Sequence, residues 1–203
     1  VAVTAASRSV QRRIVDAAVD LFSRKGFDGT SVQEVVEAAR VTKGAMYHYF
    51  RSKDDLLYEI YHELITEQLA GLDRVRALDL PAPQALHAII VDLVVSTADR
   101  LQAAAVFSRE AHKLAGEPMA ALRAQRRAYH EGVRELVARG QRDGVFAGSA
   151  SAETVTLMVF GIVNQLSQWY RPDGPTSPRR LADEVAGFVL AGLSVESVSV
   201  GRV

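Results

Sequence analysis

Lys43, Gly44, Tyr47 and His48 carry the most suggestive spacing in this sequence. At about 100° per residue they fall on one continuous arc of a helix. That arc combines an ammonium, a phenol, an imidazole and a residue with no side chain. The first three can donate hydrogen bonds to phosphate oxygens and to acceptors on base edges, and the glycine allows close approach to a groove. Ala45, Met46, Tyr49 and Phe50 occupy the opposite arc, which reads as the packed one, with Ala45 on its border.

Short helices on either side must hold such an arc in place. Ser31, with Glu34 three residues later, is a capping box that opens a helix with Val32, Val35, Val36 and Ala39 as its buried stripe. Arg40 and Val41 form a turn, and Thr42 is the N-cap of the next helix. Upstream, Val10, Ile14, Ala18, Leu21 and Phe22 recur on one helical face, Arg24 and Lys25 suit the C-terminal dipole, and Gly26 stops the helix. Residues 1–7 lack periodicity and are expected to fray. Ser52 and Asp55 cap a fourth helix, with Leu56, Leu57, Ile60, Tyr61, Leu64, Ile65 and Leu69 inward to about Val75.

Pro81 and Pro83 break the pattern and mark a seam. A fifth helix contains Leu86 to Val95 and ends near Asp99 or Arg100, and a sixth runs from Leu101 to Leu114, stopped by Gly116. Pro118 fits the first turn of a seventh, in which Met119, Leu122, Tyr129, Val133, Leu136 and Val137 face inward up to Gly140–Gly144. Ser151 caps an eighth helix reaching Tyr170, apolar nearly all round from Val155 to Leu166, so it needs cover on more than one side. Arg171 to Pro175 is a strong turn, and Ser177 opens a ninth helix through about Leu193. No strand alternation or internal repeat is present. The expectation is an all-α chain of nine helices.

The chain has 203 residues, formal net charge +0 and 48% hydrophobic residues, ordinary for one or two folded domains. Neutrality argues against non-specific coating of nucleic acid, although up to residue 55 nine Lys and Arg stand against seven Asp and Glu. No apolar run approaches the roughly 18 to 20 residues of a membrane span, and no signal segment is evident, so a cytoplasmic protein without membrane contact is expected. Cysteine is absent, which excludes disulfides and thiolate chemistry. The histidines at 48, 62, 87, 112 and 130 have no ligand spacing, and no phosphate loop or nucleophile elbow exists. No metal, cofactor or catalysis is expected.

Ile14 to Leu57 resembles the N-terminal DNA-binding domain of the TetR family of one-component transcriptional regulators. The resemblance rests on Leu21-Phe22, Gly26-Phe27, Thr30-Ser31-Val32, and Gly44 to Phe50 followed by Ser52-Lys53. It implies a helix-turn-helix domain over 8–55, a helical effector-binding and dimerisation domain over 56–194, and a mobile tail over 195–203. It implies that the third helix lies in the major groove and that a homodimer presents two such helices about 34 Å apart to a palindromic double-stranded operator. Carried over by position, Thr42, Lys43, Tyr47 and Lys53 face phosphates, Gly44, Ala45 and His48 approach base edges, and Ser31 and Gln33 add backbone contacts.

The family plan also implies dimerisation through the eighth and ninth helices, which the apolarity of the eighth suggests independently. The competing account makes the eighth the central helix of a monomer. A repressor released by a small apolar effector is the function implied, with the fourth helix as lever and Tyr58, Tyr61 and His62 as relay positions. Trp169 to Pro175 with Asn164 resembles a subset of TetR-type regulators that control lipid or steroid breakdown and answer to acyl-CoA thioesters. The same residues read equally well as a helix end and turn beneath the ninth helix.

An effector site lined by the fourth to eighth helices would draw on Phe107, Glu110, Leu114, Tyr129, Phe160, Asn164 and Gln168, each of which also reads as core or surface. Asn164 stands out, because an amide within an apolar helix must find a partner. A helical ligand-binding or scaffold protein without operator binding is the alternative function, and an enzyme is third.

Overall fold

The computed structural model describes residues 5–114 and 116–195, which are helical with no strand among them. They divide into two compact units: the described residues up to Thr66 with Arg100–Ala124, and Glu67–Asp99 with the described residues from Gln125 onward. The first unit therefore takes in more than the 8–55 segment, adding the start of the fourth helix and all of the sixth.

In the first unit α1 spans Ala5–Lys25, beginning within the segment expected to fray. It ends where Gly26 takes φ 78°, a left-handed conformation that costs glycine little, and where the Gly26 N–H closes on Phe22 O at 3.0 Å. Helix α2 (Val32–Ala38) starts at the full Ser31–Glu34 capping box. The turn after it places Arg40 at φ 53° and closes with the Val41 N–H on Val36 O at 3.1 Å. Helix α3 (Lys43–Tyr49) follows, with the Thr42 hydroxyl accepting the Ala45 N–H. Ile14, Phe22, Met46, Leu56, Leu57 and Tyr61 are buried together as the largest side chains of this core, each contributing roughly 1.5–3 kcal/mol of apolar burial.

Helix α4 (Lys53–Ala77) supplies its first half to this unit and its second half to the other. Ser52 caps it by accepting the Asp55 N–H at 3.1 Å. Helix α5 (Ala82–Asp99) belongs to the second unit. Helix α6 (Leu101–Glu110) packs on α1 and passes into a 3₁₀ turn at Ala111–Lys113.

Helix α7 (Gly116–Arg142) contributes its residues from Gln125 to the second unit. It is followed by α8 (Ala152–Asn164), the short α9 (Leu166–Trp169) and α10 (Pro178–Gly192). Helix α5 lies at the centre of this unit, with Ala85, Leu86, Ile89, Ile90, Val91, Leu93, Val94 and Ala98 buried and with α10, α8 and α9 packed against it. Where α7 turns toward α8, a Cβ on Gly140 would stand 2.2 Å from the Phe146 ring; only glycine lets the aromatic seal that corner.

The expected eighth helix is divided at Gln165, where the consecutive exposed amides of Asn164 and Gln165 offer no buried side chain to hold the turn. Counting α8 and α9 as its two pieces, the nine expected helices are all present. Of the expected mobile tail, residues 196–203 lie outside the described residues.

Candidate nucleic-acid interface

The two arcs of α3 are separated as their residue types dictate. Met46 is 0% exposed and Phe50 is buried, while Tyr47 is 46% exposed. Thr42, Lys43, Gly44 and His48 are exposed, and Ala45 and Tyr49 are intermediate. Gly44 sees nothing closer than Thr42 Oγ1 at 4.0 Å from an added Cβ, so its backbone faces open space. Tyr47 and His48 therefore project from a helix whose other side is anchored by a fully buried methionine.

The turn between α2 and α3 is held by Arg13. Its Nε and Nη2 donate to Ala39 O at 3.0 and 2.7 Å, and Nη2 also donates to Arg40 O at 2.6 Å. A guanidinium thus satisfies carbonyls at the end of α2, where a helix leaves acceptors unpaired. Such a fork has no helical periodicity, so the sequence alone gives no signal of it.

Lys53 differs from the expectation of a phosphate-facing ammonium. Its Nζ donates to Phe27 O at 2.6 Å and to Thr30 O at 2.8 Å and lies 4.3 Å from the centroid of the Phe27 ring. Two of its three N–H groups are thereby committed to the α1–α2 turn, a structural task that its type alone does not reveal. Ser31 is likewise engaged, accepting the Glu34 N–H and donating to the Glu34 carboxylate, and Gln33 donates to Glu37 at 2.8 Å. The Glu34 carboxyl is held at a pKa of about 2, first by the Lys25 ammonium and then by the Ser31 N–H and hydroxyl. Arg40 and Arg51, exposed at the two ends of α3, join Lys43 as cations with no ion pair among the described residues. Neither was singled out from the sequence, because a lone arginine in a turn has no pattern.

The seven effector candidates do not fall in one unit. Phe107, Glu110 and Leu114 belong to the first, and Tyr129, Phe160, Asn164 and Gln168 to the second. Phe107 sets its ring edge-on to Tyr61 at 4.6 Å, and the Tyr61 hydroxyl donates to Phe107 O at 3.2 Å. Leu114 is buried. Glu110 is buried and accepts the Phe27 N–H at 3.3 Å and the Lys113 ammonium at 3.2 Å. Arg109 beside it donates to Phe22 O and Ser23 O at 3.1 and 2.9 Å.

In the second unit Tyr129 meets Phe160 edge-on at 5.4 Å, and His130 stacks on Phe160 at 3.7 Å. Burial, and then the Arg126 guanidinium, hold the His130 imidazole below its ordinary pKa. Asn164 and Gln168 are exposed, so the burial that singled out Asn164 is not found: it is the last residue of α8, where an amide can meet solvent. Among the described residues no cluster of three His, Asp or Glu side chains could hold a metal, and no helix is long and apolar enough to cross a membrane.

A helix-turn-helix with one exposed donor face, followed by a helical second unit, matches known families in both parts. Residues 14–60 match the bacterial regulatory proteins of the tetR family, and residues 79–193 match the tetracyclin repressor-like C-terminal domain. The chain belongs to the TetR family of bacterial regulatory proteins and is a DNA-binding transcriptional regulator.

Among its relatives is the HTH-type transcriptional repressor KstR2 of Rhodococcus jostii (strain RHA1), 24% identical over 182 residues and covering 89% of each chain. The structure of AibR in complex with isovaleryl coenzyme A and operator DNA superposes with a TM-score of 0.76 at 25% identity, covering 88% of this chain and 97% of that one. The ketosteroid transcriptional regulator KstR2 of Mycobacterium tuberculosis shares the fold with a TM-score of 0.85 at 19% identity, over 97% of this chain and 100% of that one.

Proposed function

We propose that this chain is a cytoplasmic repressor that binds a palindromic operator as a homodimer and leaves it when an apolar effector, an acyl-CoA thioester, occupies the second unit. The observation that carries the reading is the divided surface of α3: Lys43, Gly44, Tyr47 and His48 outward over a buried Met46. Lys43, Arg40, Arg51, Thr42 and Tyr47 meet phosphates, while Gly44, Ala45 and His48 come nearest the base edges. Ser31, Gln33 and the remaining N–H of Lys53 contribute at the margin.

Pairing through α8 and α10 is supported by their uncovered sides. Leu157, Met158 and Phe188 are 55%, 61% and 75% exposed, and Cβ atoms added at Gly161 or Gly187 would meet nothing within 4 Å. Crossing two copies on this face covers the bare side of α8 in a four-helix arrangement and sets two α3 helices for successive major grooves, about 34 Å apart. The effector reading draws on the isovaleryl coenzyme A bound by AibR and on the relation to KstR2 repressors. Effector binding then favours dimers whose α3 helices are mis-spaced for the grooves.

The test is selection of duplexes from a random library by the purified chain, followed by footprinting. A palindromic site released by acyl-CoA esters is the expected result. Failure to select any sequence overturns the operator reading, and a selected site that no acyl-CoA loosens overturns the effector reading.

A further inference from the structure

Among the described residues two that are not glycine take a left-handed conformation, Arg40 at φ 53° and Asp79 at φ 45°. Aspartate visits that region because its short carboxylate can bond the local backbone. Arginine has no such help, and its Cβ crowds the following carbonyl oxygen there. At the ends of α1 and α7 the left-handed positions are Gly26 and Gly144, at φ 78° and 71°. At the end of α2 the chain keeps a long side chain where glycine would fit with less strain.

The conformation of Arg40 is held from two directions. The Arg40 N–H closes on Glu37 O and the Val41 N–H on Val36 O, both at 3.1 Å, the paired bonds of a helix that ends in a left-handed residue. The Arg13 guanidinium then bridges Ala39 O and Arg40 O at 2.7 and 2.6 Å. How two successive carbonyls point relative to each other depends on the φ and ψ of the residue whose Cα lies between them. A fork on Ala39 O and Arg40 O therefore constrains Arg40 itself.

The Arg40 side chain is exposed and forms no ion pair among the described residues. Glu37, the nearest carboxylate in sequence, accepts from Gln33 at 2.8 Å instead. Two residues on, Thr42 caps α3 and is followed by the exposed Lys43, so this guanidinium stands where α3 begins. Backbone strain persists where surrounding bonds over-determine it, and it concentrates at functional positions. A guanidinium also suits phosphate oxygens through two parallel N–H bonds. We propose that Arg40 contacts an operator phosphate from its disfavoured conformation, and that Arg13 is the positioning residue that holds it there. This rests on the operator reading above and deepens it: the turn before α3 adds affinity of its own, and does so without reading base sequence.

The experiment uses the full chain and a duplex that the parent selects from a random library. Affinity is measured by fluorescence anisotropy across salt concentrations, and thermal midpoints are measured without DNA. Arg40→Gly and Arg40→Ala are both expected to weaken the duplex several-fold and to lower the slope of log affinity against log salt by about 1 per bound copy, while Arg40→Lys keeps the parent slope. In the free protein the two differ. The glycine variant is expected to melt no lower than the parent and above the alanine variant, since it alone relieves the left-handed residue. Arg13→Met is expected to lower the midpoint and to weaken the duplex several-fold in the parent, and to do both less with Arg40→Gly in place, a coupling that a bond unrelated to residue 40 would not show. Unchanged slopes for Arg40→Gly and Arg40→Ala overturn the phosphate contact, and equal effects of Arg13→Met in the two backgrounds overturn the positioning. A glycine variant that melts below the alanine one shows no strain at this position and overturns the proposal as a whole. A parent that selects no duplex sinks the operator reading and this one with it; a selected duplex with unchanged slopes sinks this one alone.

Discussion

The Glu110 carboxylate, buried at the end of α6, accepts the backbone N–H of Phe27 at 3.3 Å, joining residues 83 apart in sequence. Lys113 sits against the same carboxylate and also pairs with Asp28, while Arg109 donates to the last carbonyls of α1. From the other side Lys53 donates to Phe27 O and Thr30 O. The α1–α2 turn, which sets where α2 and then α3 begin, is thus held by charged side chains from α4 and α6. A carboxylate expected to touch effector instead fixes the backbone of the DNA-binding helices.

Glu110→Ala is expected to destabilise the protein by about 1–3 kcal/mol in urea or guanidinium unfolding, because it strands a buried N–H. Glu110→Gln keeps an acceptor for Phe27 and is expected to recover most of that loss. Equal stability of the alanine variant and the parent would show that the Phe27 contact contributes nothing.

Lys43 and Lys53 are expected to separate into two kinds of lysine. Lys43→Ala should weaken binding of a selected duplex across sequences and lower the slope of log affinity against log salt by about 1, with folding unchanged. Lys53→Ala should instead cost about 1.5–3 kcal/mol of stability through the lost charged hydrogen bonds. A salt slope that drops for Lys53→Ala and stays put for Lys43→Ala would reverse the assignment.

Acid should loosen the cap of α2. Glu34 titrates at about 2 in the folded protein against an ordinary 4.5. Its contribution to stability is therefore fully present above the unfolded value and is lost as pH falls from about 4.5 toward 2. Denaturation of the parent and of Glu34→Gln through this range should show the two curves converging as pH falls; a constant gap between them would refute the linkage. Ser31→Ala, which removes the other half of the box, is expected to cost about 1 kcal/mol at neutral pH.

Phe188→Glu places a carboxylate on the most exposed large apolar side chain of α10. Sedimentation should then show monomers at micromolar concentration and the operator complex should be lost, since one α3 spans a single half-site. A variant that still sediments as a dimer would move the pairing surface elsewhere.

The sequence by itself determined what depends on local physics. Ser31 with Glu34, and Thr42, act over three residues, and both caps are where their spacing puts them. The packed and exposed arcs of α3 follow from helical periodicity, as Met46 and Lys43 show. The tertiary structure decided what depends on partners distant in the chain. The Arg13 fork on Ala39 and Arg40 spans 26 and 27 residues, the commitment of Lys53 spans 26 and 23, and Glu110 acts across 83. A charged side chain has the same letter whether it meets phosphate, solvent or a carbonyl. Which of these it meets is fixed by how the helices pack, and burial then makes an unmet group costly, as it does for the Gln125 Oε1 and the Ser167 Oγ.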